Sequence, residues 1–311
     1  MDSCSADTIL TNFSLEGISM GYFRKPWSFL GLFFVAMLLC FSVIKWCRFR
    51  TRQERLCTTS VLCRLGDVSF KEKAPPVTAD SLRPLFGQPL FFLGEGKQCV
   101  AYETADGKYV LKLFKKASKK KKQKQLEEYV TGGIIARGCL PEETGVIACV
   151  CGPQSFKLPS VTVLNEKGKI DKISLQDVPF IFQRKAQPFK QTLMRLLAEK
   201  KGKEAAARLE SLFTMLSTCR DRGVLDKDGS LIRNGNVGFV DGRAILFDTG
   251  KLYRISDRKR HTLHDINRLK PLQSWLESAC PELVPVFKSC QEKYRATMEK
   301  GVGKKDSEKK Q

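Results

Sequence analysis

The chain has 311 residues, enough for one sizeable core with appendages. Lys and Arg outnumber Asp and Glu by 54 to 33, a net charge of +21 that suits an anionic partner (phospholipid, nucleotide or nucleic acid) or a solvated basic surface. The 12 cysteines include no two CxxC motifs, and His261 and His264 stand far from Cys149 and Cys151, which argues against zinc; the cysteines read as reduced, buried thiols of a reducing compartment.

Residues 1–26 read as an N-terminal segment. The run "WSFLGLFFVAMLLCFSVI", residues 27–44, carries no charge. A helix of that length rises about 27 Å, close to the roughly 30 Å of a bilayer core. Trp27 and Trp46 flank it, and Lys45, Arg48, Arg50, Arg52 and Arg55 follow. The expectation is a transmembrane helix over 27–46 in a single-pass membrane protein, with the C-terminal domain in the cytoplasm. Residues 47–81, basic and then Pro-containing, read as a linker, and 300–311 as a charged tail.

The segment "PLFFLGEGKQCVAYETADGKYVLKLFK" predicts three antiparallel strands with turns at the glycines and at Asp106-Gly107. A helix follows from Ser118, a candidate N-cap, to about Gly138. "VIACVC", "SVTVLN", "KIDKISL" and "DVPFIFQRKA" predict strands, the middle two joined at Lys167-Gly168. Residues 190–223 predict a helical run capped by Gly223. "VGFVDGRAILFD" predicts a hairpin turning at Asp241-Gly242, and two helices, near 263–279 and 281–299, finish the chain. Sheet followed by helices is the α+β order.

Polar chemistry gathers at two places. Gly94 and Gly96 lie between strands, where a missing Cβ lets backbone N–H groups approach a phosphate; hairpin turns use glycine for the same freedom. Sixteen residues after Gly96, Lys112 sits on an apolar strand, where its charge needs an anionic partner or an edge position. Glu127, with Glu128 as the alternative, stands on the next helix and could orient that lysine, or pair with neighbouring lysines.

The second place is "GVLDKDGSLIRNGNVGFVDGRAILFDTGKL", residues 223–252. It is not a calcium loop, because apolar Leu231 and Ile232 interrupt it and Val237 stands where a glutamate is needed. Asp228 and Asp248 are twenty residues apart and bracket a hairpin. One such carboxylate can orient a hydroxyl while the other holds a divalent cation against phosphate oxygens. Asn236, with Asn234 as the alternative, can add a neutral oxygen. Asp-Gly and Asn-Gly turns explain most of these residues without function, but Asp248 follows the apolar strand "AILF".

With these motifs the chain resembles the protein-kinase-like fold over about residues 88–255. "LGEGKQCVAY" resembles a shortened Gly-rich loop with Cys99 at the third glycine, "YVLK" the lysine strand, and "PFIFQRKAQPF" the hinge. "RGVLDKD" is similar to the approach to a catalytic loop, and "LFDTG" to the Asp-Phe-Gly segment. "DKD" and "NxGF" resemble a divergent kinase-like group of chlamydia-like bacteria. The resemblance implies two lobes: an antiparallel N-lobe with hinge over 82–187 and a reduced helical C-lobe over 188–299. It implies ATP and magnesium as ligands, with Gly94, Gly96, Lys112 and Glu127 at the nucleotide. It places Asn236 and Asp248 at the metal, Asp228 as catalytic base, and Asp226 in the slot of a histidine that braces the loop. The chain departs from the pattern where Asp226-Lys227 replaces His-Arg. No Ala-Pro-Glu follows, and 61 residues remain after Gly250. These departures weigh more against a protein substrate than against nucleotide binding.

The run "KKASKKKKQK" carries seven lysines without interleaved aromatics, which argues against nucleic acid and suits an anionic membrane surface or plain solvation. Three readings stand: a membrane-anchored kinase-like enzyme with an unknown acceptor, a pseudokinase scaffold, and a basic domain recognising lipid or nucleic acid.

Overall fold

The computed structural model describes residues 34–44, 62–65, 74–117, 120–165, 168–228, 231, 236–255 and 258–308. It divides into two compact units, Met1–Arg55 and Leu56–Gln311.

In the first unit the described residues form one helix over 34–44, with Phe34, Leu38 and Phe41 among its exposed side chains. Among the described residues no helix is long and apolar enough to cross a membrane. The expected transmembrane helix over 27–46 is therefore corrected, and with it the membrane-anchored two-lobed architecture and the single-pass localisation with a cytoplasmic domain. Residues 27–33 and 45–46 lie outside the described residues, as do 1–26.

The second unit opens with a short helix α1 (Ala79–Leu82), capped by Thr78, whose hydroxyl accepts from Ser81 N at 3.3 Å. Three strands follow: β1 (Leu90–Glu95), β2 (Cys99–Thr104) and β3 (Tyr109–Phe114). They pair antiparallel, as read from the sequence. At the β2–β3 turn Gly107 has φ +67°, and Asp106 accepts from the Thr104 hydroxyl at 2.6 Å. Strands β4 (Val146–Val150), β5 (Ser160–Leu164), β6 (Ile170–Ser174) and β7 (Phe180–Arg184) complete a seven-stranded sheet, ordered β4-β7-β3-β2-β1-β5-β6. The β5–β6 hairpin extends it by pairing parallel with β1. Leu90, Val100, Leu111, Leu113, Phe180 and Phe182 form the core on one side of the sheet.

Helix α2 (Lys120–Cys139) covers the opposite side, with Leu126, Val130 and Ile134 in the second core; Ser118 lies outside the described residues. Two adjacent glycines on α2 set its position. A Cβ on Gly133 would lie 2.5 Å from Ile181 Cδ1, and one on Gly132 would run into the carbonyl oxygen of Thr249. The helix is thus wedged between the sheet and the segment after Asp248.

After a short helix α3 (Pro141–Thr144) and strand β8 (Gln187–Pro188), the region read as one helical run is two helices, α4 (Phe189–Ala198) and α5 (Gly202–Asp221). Lys200 breaks it in the left-handed region, at φ 59°. Lys200 N donates to Leu197 O and Lys201 N to Leu196 O, the paired bonds that close a helix end. Lysine is an uncommon choice there, and the nearby Gly202 starts the next helix instead.

Strand β9 (Val224–Asp226) pairs antiparallel with β12 (Leu252–Arg254), and β10 (Val237–Val240) with β11 (Arg243–Leu246). Asp241 and Gly242 turn this last hairpin with φ 45° and 87°. Helices α6 (Arg258–Ala279) and α7 (Val284–Glu308) finish the unit, α7 running into the segment read as a tail. Phe213, Leu272, Leu276 and Phe287 pack them against α5.

Candidate functional site

Two pairings build the site. In β9–β12, Asp226 lies opposite Leu252 and Lys227 N donates to Lys251 O at 3.1 Å, so Asp228 emerges beside Lys251. At the open end of the β10–β11 hairpin, Phe247 N donates to Asn236 O at 3.0 Å, which sets Asn236 next to the strand that delivers Asp248. Asp228 and Asp248, twenty apart in sequence, are thus brought to one cavity.

Asp228, Asn236, Asp248, Gly250 and Lys251 line one cavity of about 580 Å³. Gly96, Lys97 and Gln98 line it from the β1–β2 turn, and Gln125, Glu128 and Tyr129 from α2. That volume falls within the roughly 300–1,000 Å³ of small-molecule sites.

Asp228 is 7% exposed, and both of its oxygens are engaged. Oδ1 pairs with Lys251 Nζ, and Oδ2 accepts from the Asn236 amide. Its backbone N–H donates to Asp226 Oδ1 at 3.0 Å. The Asp228 carboxylate, and burial acting against it, leave Lys251 with a raised pKa.

Asp248 is held by a tyrosine that nothing in the sequence marks out. Tyr129 donates its hydroxyl to Asp248 Oδ1 at 3.0 Å, and Gly250 N donates to the same oxygen at 3.3 Å. Burial first, then the neighbouring Cys99 and Asp248, push Tyr129 well above the ordinary tyrosine range. It therefore keeps its proton and remains a donor. A Cβ on Gly250 would run into the Tyr129 ring, so glycine is required for this approach.

Lys112 is 8% exposed on β3, between Ala101 and Ile181. Its Nζ donates to Phe247 O at 2.5 Å, a carbonyl that also accepts from Gln183 Nε2 at 3.3 Å. The buried charge is satisfied by a carbonyl one residue before Asp248, and Lys112 itself does not line the cavity. Glu128 lines it and Glu127 does not. Gly94 lies inside β1 opposite Ala101, at a bulge, rather than in the turn. Gly96 opens the turn, its N–H donating to Cys99 O at 2.9 Å. Asn234 lies outside the described residues.

Behind Asp228 sits a buried charge cluster. Arg268 on α6, 2% exposed, donates Nη2 to Asp226 Oδ2 at 2.6 Å and lies 3.5 Å from Asp265 Oδ1. Tyr294 of α7 donates to Asp265 Oδ2 at 2.6 Å. Asp226 and Asp265 thus both reach the Arg268 guanidinium. Burial pushes Asp226 up to about 6, against the pull of Arg268. The unfolded chain takes up that proton near pH 4. The folded state binds more protons between these values, so this group's stabilising contribution is complete below pH 4 and is lost as pH rises to about 6. Urea melts from pH 4 to 7 should show the stability of Asp226→Asn gaining on wild type by about 2–3 kcal/mol across that window. A constant difference would mean that Asp226 does not titrate there.

A carboxylate (Asp248) and an amide oxygen (Asn236) are the donors suited to a hard cation, which takes few protein ligands and keeps water and phosphate oxygens. Among the described residues no group of three or more His, Cys, Asp or Glu could hold a metal by itself. That donor set fits a magnesium ion carried in with a phosphate.

The close approach of α2 makes a signed prediction. Gly132→Ala should lower the unfolding free energy by about 1–3 kcal/mol through overpacking against Thr249. Gly138→Ala, whose Cβ would meet only Pro75 Cγ at 3.5 Å, should raise it by up to about 1 kcal/mol. Equal effects of the two in denaturant titrations would contradict this packing.

No family model matches the chain, and no curated protein matches it. Among solved structures, the LegK7 effector kinase of Legionella pneumophila aligns at 10% identity and a TM-score of 0.25. The alignment covers 59% of this chain and 33% of that one, so the chain spans about a third of that structure's length. A score of that size does not establish a shared fold.

Proposed function

We propose that the cavity binds a magnesium-complexed nucleoside triphosphate and that the chain transfers its γ-phosphoryl group to a hydroxyl acceptor. The observation that carries this reading is the meeting of Asp228, Asn236 and Asp248 with the Gly96 turn around one cavity. Asp248 and Asn236 would hold the cation, whose charge offsets that developing on the phosphate oxygens. Gly96 N–H is spent on Cys99, so Lys97 and Gln98 are what the turn offers the phosphates. Asp228 orients the acceptor hydroxyl and takes its proton as the new P–O bond forms and the β–γ bridging bond breaks. Lys251, beside Asp228, places a positive charge against the transferring group. Lys112 acts through Phe247, anchoring the strand end that carries Asp248.

A second reading, a nucleotide-binding scaffold without turnover, draws support from Asp228 itself. Both of its oxygens are committed to Lys251 and Asn236, and accepting a proton requires one of them to yield.

Thermal melts of the full-length chain with and without Mg·ATP test binding. At a nucleotide concentration of 100 Kd the wild type should gain roughly 2.7 kcal/mol, and Asp248→Ala should gain nothing while remaining folded. Absence of a shift at millimolar Mg·ATP would remove both readings. A shift without phosphoryl transfer would leave the scaffold.

A further inference from the structure

A second cavity, of about 200 Å³, shares no lining residue with the first. Three arginines from three elements line it: Arg137 near the end of α2, Arg184 at the end of β7 and Arg243 at the start of β11. Arg184 pairs with Asp241, and Arg243 with Glu142 at 3.5 Å. Those two acids are 71% and 67% exposed at their side chains, so water competes for both pairs. Arg137 has no hydrogen-bond or ion-pair partner among the described residues, and its Nε is shut off from water. Arg137 nevertheless lines the cavity, so its guanidinium charge is available to an anion there through atoms other than Nε.

We infer that this cavity binds a phosphate dianion, either free or as the O-phosphoryl group of a serine. Guanidinium forks match phosphate oxygens two at a time, and three arginines lining one small cavity favour a doubly charged, tetrahedral group over a carboxylate. The small volume admits a phosphoryl group and excludes a nucleoside. Glu142 and Asp241 act as place-holders, able to turn outward when an anion with more charge arrives. Arg137 then gains the partner that the described residues do not supply. This site stands apart from the proposed nucleotide cleft, and its test does not depend on turnover.

The test is a titration of the full-length chain with inorganic phosphate and with O-phospho-L-serine, at constant ionic strength, read by calorimetry. Saturable binding is expected with at least one of them and none with acetate. Arg243→Gln removes a side chain that is 68% exposed, so folding is retained, and it should weaken binding about ten-fold. Arg137→Gln should weaken it at least as much, and Glu142→Gln should tighten it. Asp248→Ala should leave it unchanged, which separates this site from the cleft. Equal affinity for both probes assigns free phosphate, and tighter binding of O-phosphoserine assigns a phosphorylated side chain. Acetate binding as well as phosphate, or arginine variants that leave the phosphate isotherm unmoved, would overturn the inference.

Discussion

Replacing Arg268 with methionine is expected to lower the unfolding free energy by about 3–5 kcal/mol at pH 7. The side chain is 2% exposed and is the cation shared by Asp226 and Asp265, themselves 2% and 0% exposed. Methionine fills much of the same volume, so the loss measures charge rather than a cavity. Asp226 loses the guanidinium that pairs with it, and must give up a stabilising contact or take up a proton. For a domain of this size the melting temperature should fall on the order of 10 °C. The deficit should shrink toward pH 5, because protonation removes the repulsion that the guanidinium no longer offsets. Melts of the variant at pH 7 and pH 5 check both points. A variant within about 1 kcal/mol of wild type at pH 7 would show that the cluster does not depend on this cation.

The other large effect concerns transfer. Asp228→Asn should cut phosphoryl transfer by about 100- to 10,000-fold and leave the Mg·ATP thermal shift nearly intact. Asparagine keeps the shape but accepts no proton from the acceptor. Asp226→Asn should act differently: its carboxylate touches the Asp228 backbone and Arg268 and does not line the cavity, so its effect appears in stability. Parallel melts and radiolabel transfer assays on the two variants separate the roles. Should Asp226→Asn silence transfer at unchanged stability while Asp228→Asn does nothing, the assignment within "DKD" would be reversed.

These two aspartates are two residues apart, yet one faces the cavity and the other the core. Residues 223–252 announced themselves in the sequence as a polar cluster, because carboxylates and amides after an apolar strand are conspicuous. Which carboxylate points where depends on the β9–β12 pairing, and that pairing requires a partner strand more than twenty residues away.

Local physics determined a good deal by itself. The β1–β3 meander, the Asp106-Gly107 and Asp241-Gly242 turns and the closing helices follow from alternation, periodicity and glycine positions, all short-range properties of the chain. The apolar run at 27–44 carries no charge, yet among the described residues no helix is long and apolar enough to cross a membrane. The break at Lys200 was hidden, since a lysine in the left-handed region leaves no compositional trace. Tertiary structure alone decided the partners. Lys112 meets the carbonyl of Phe247, 135 positions away, Tyr129 meets Asp248 across 119, and Arg268 meets Asp226 across 42. A buried charge states in the sequence only that it needs a partner; which group answers is settled by the packing that brings distant segments together.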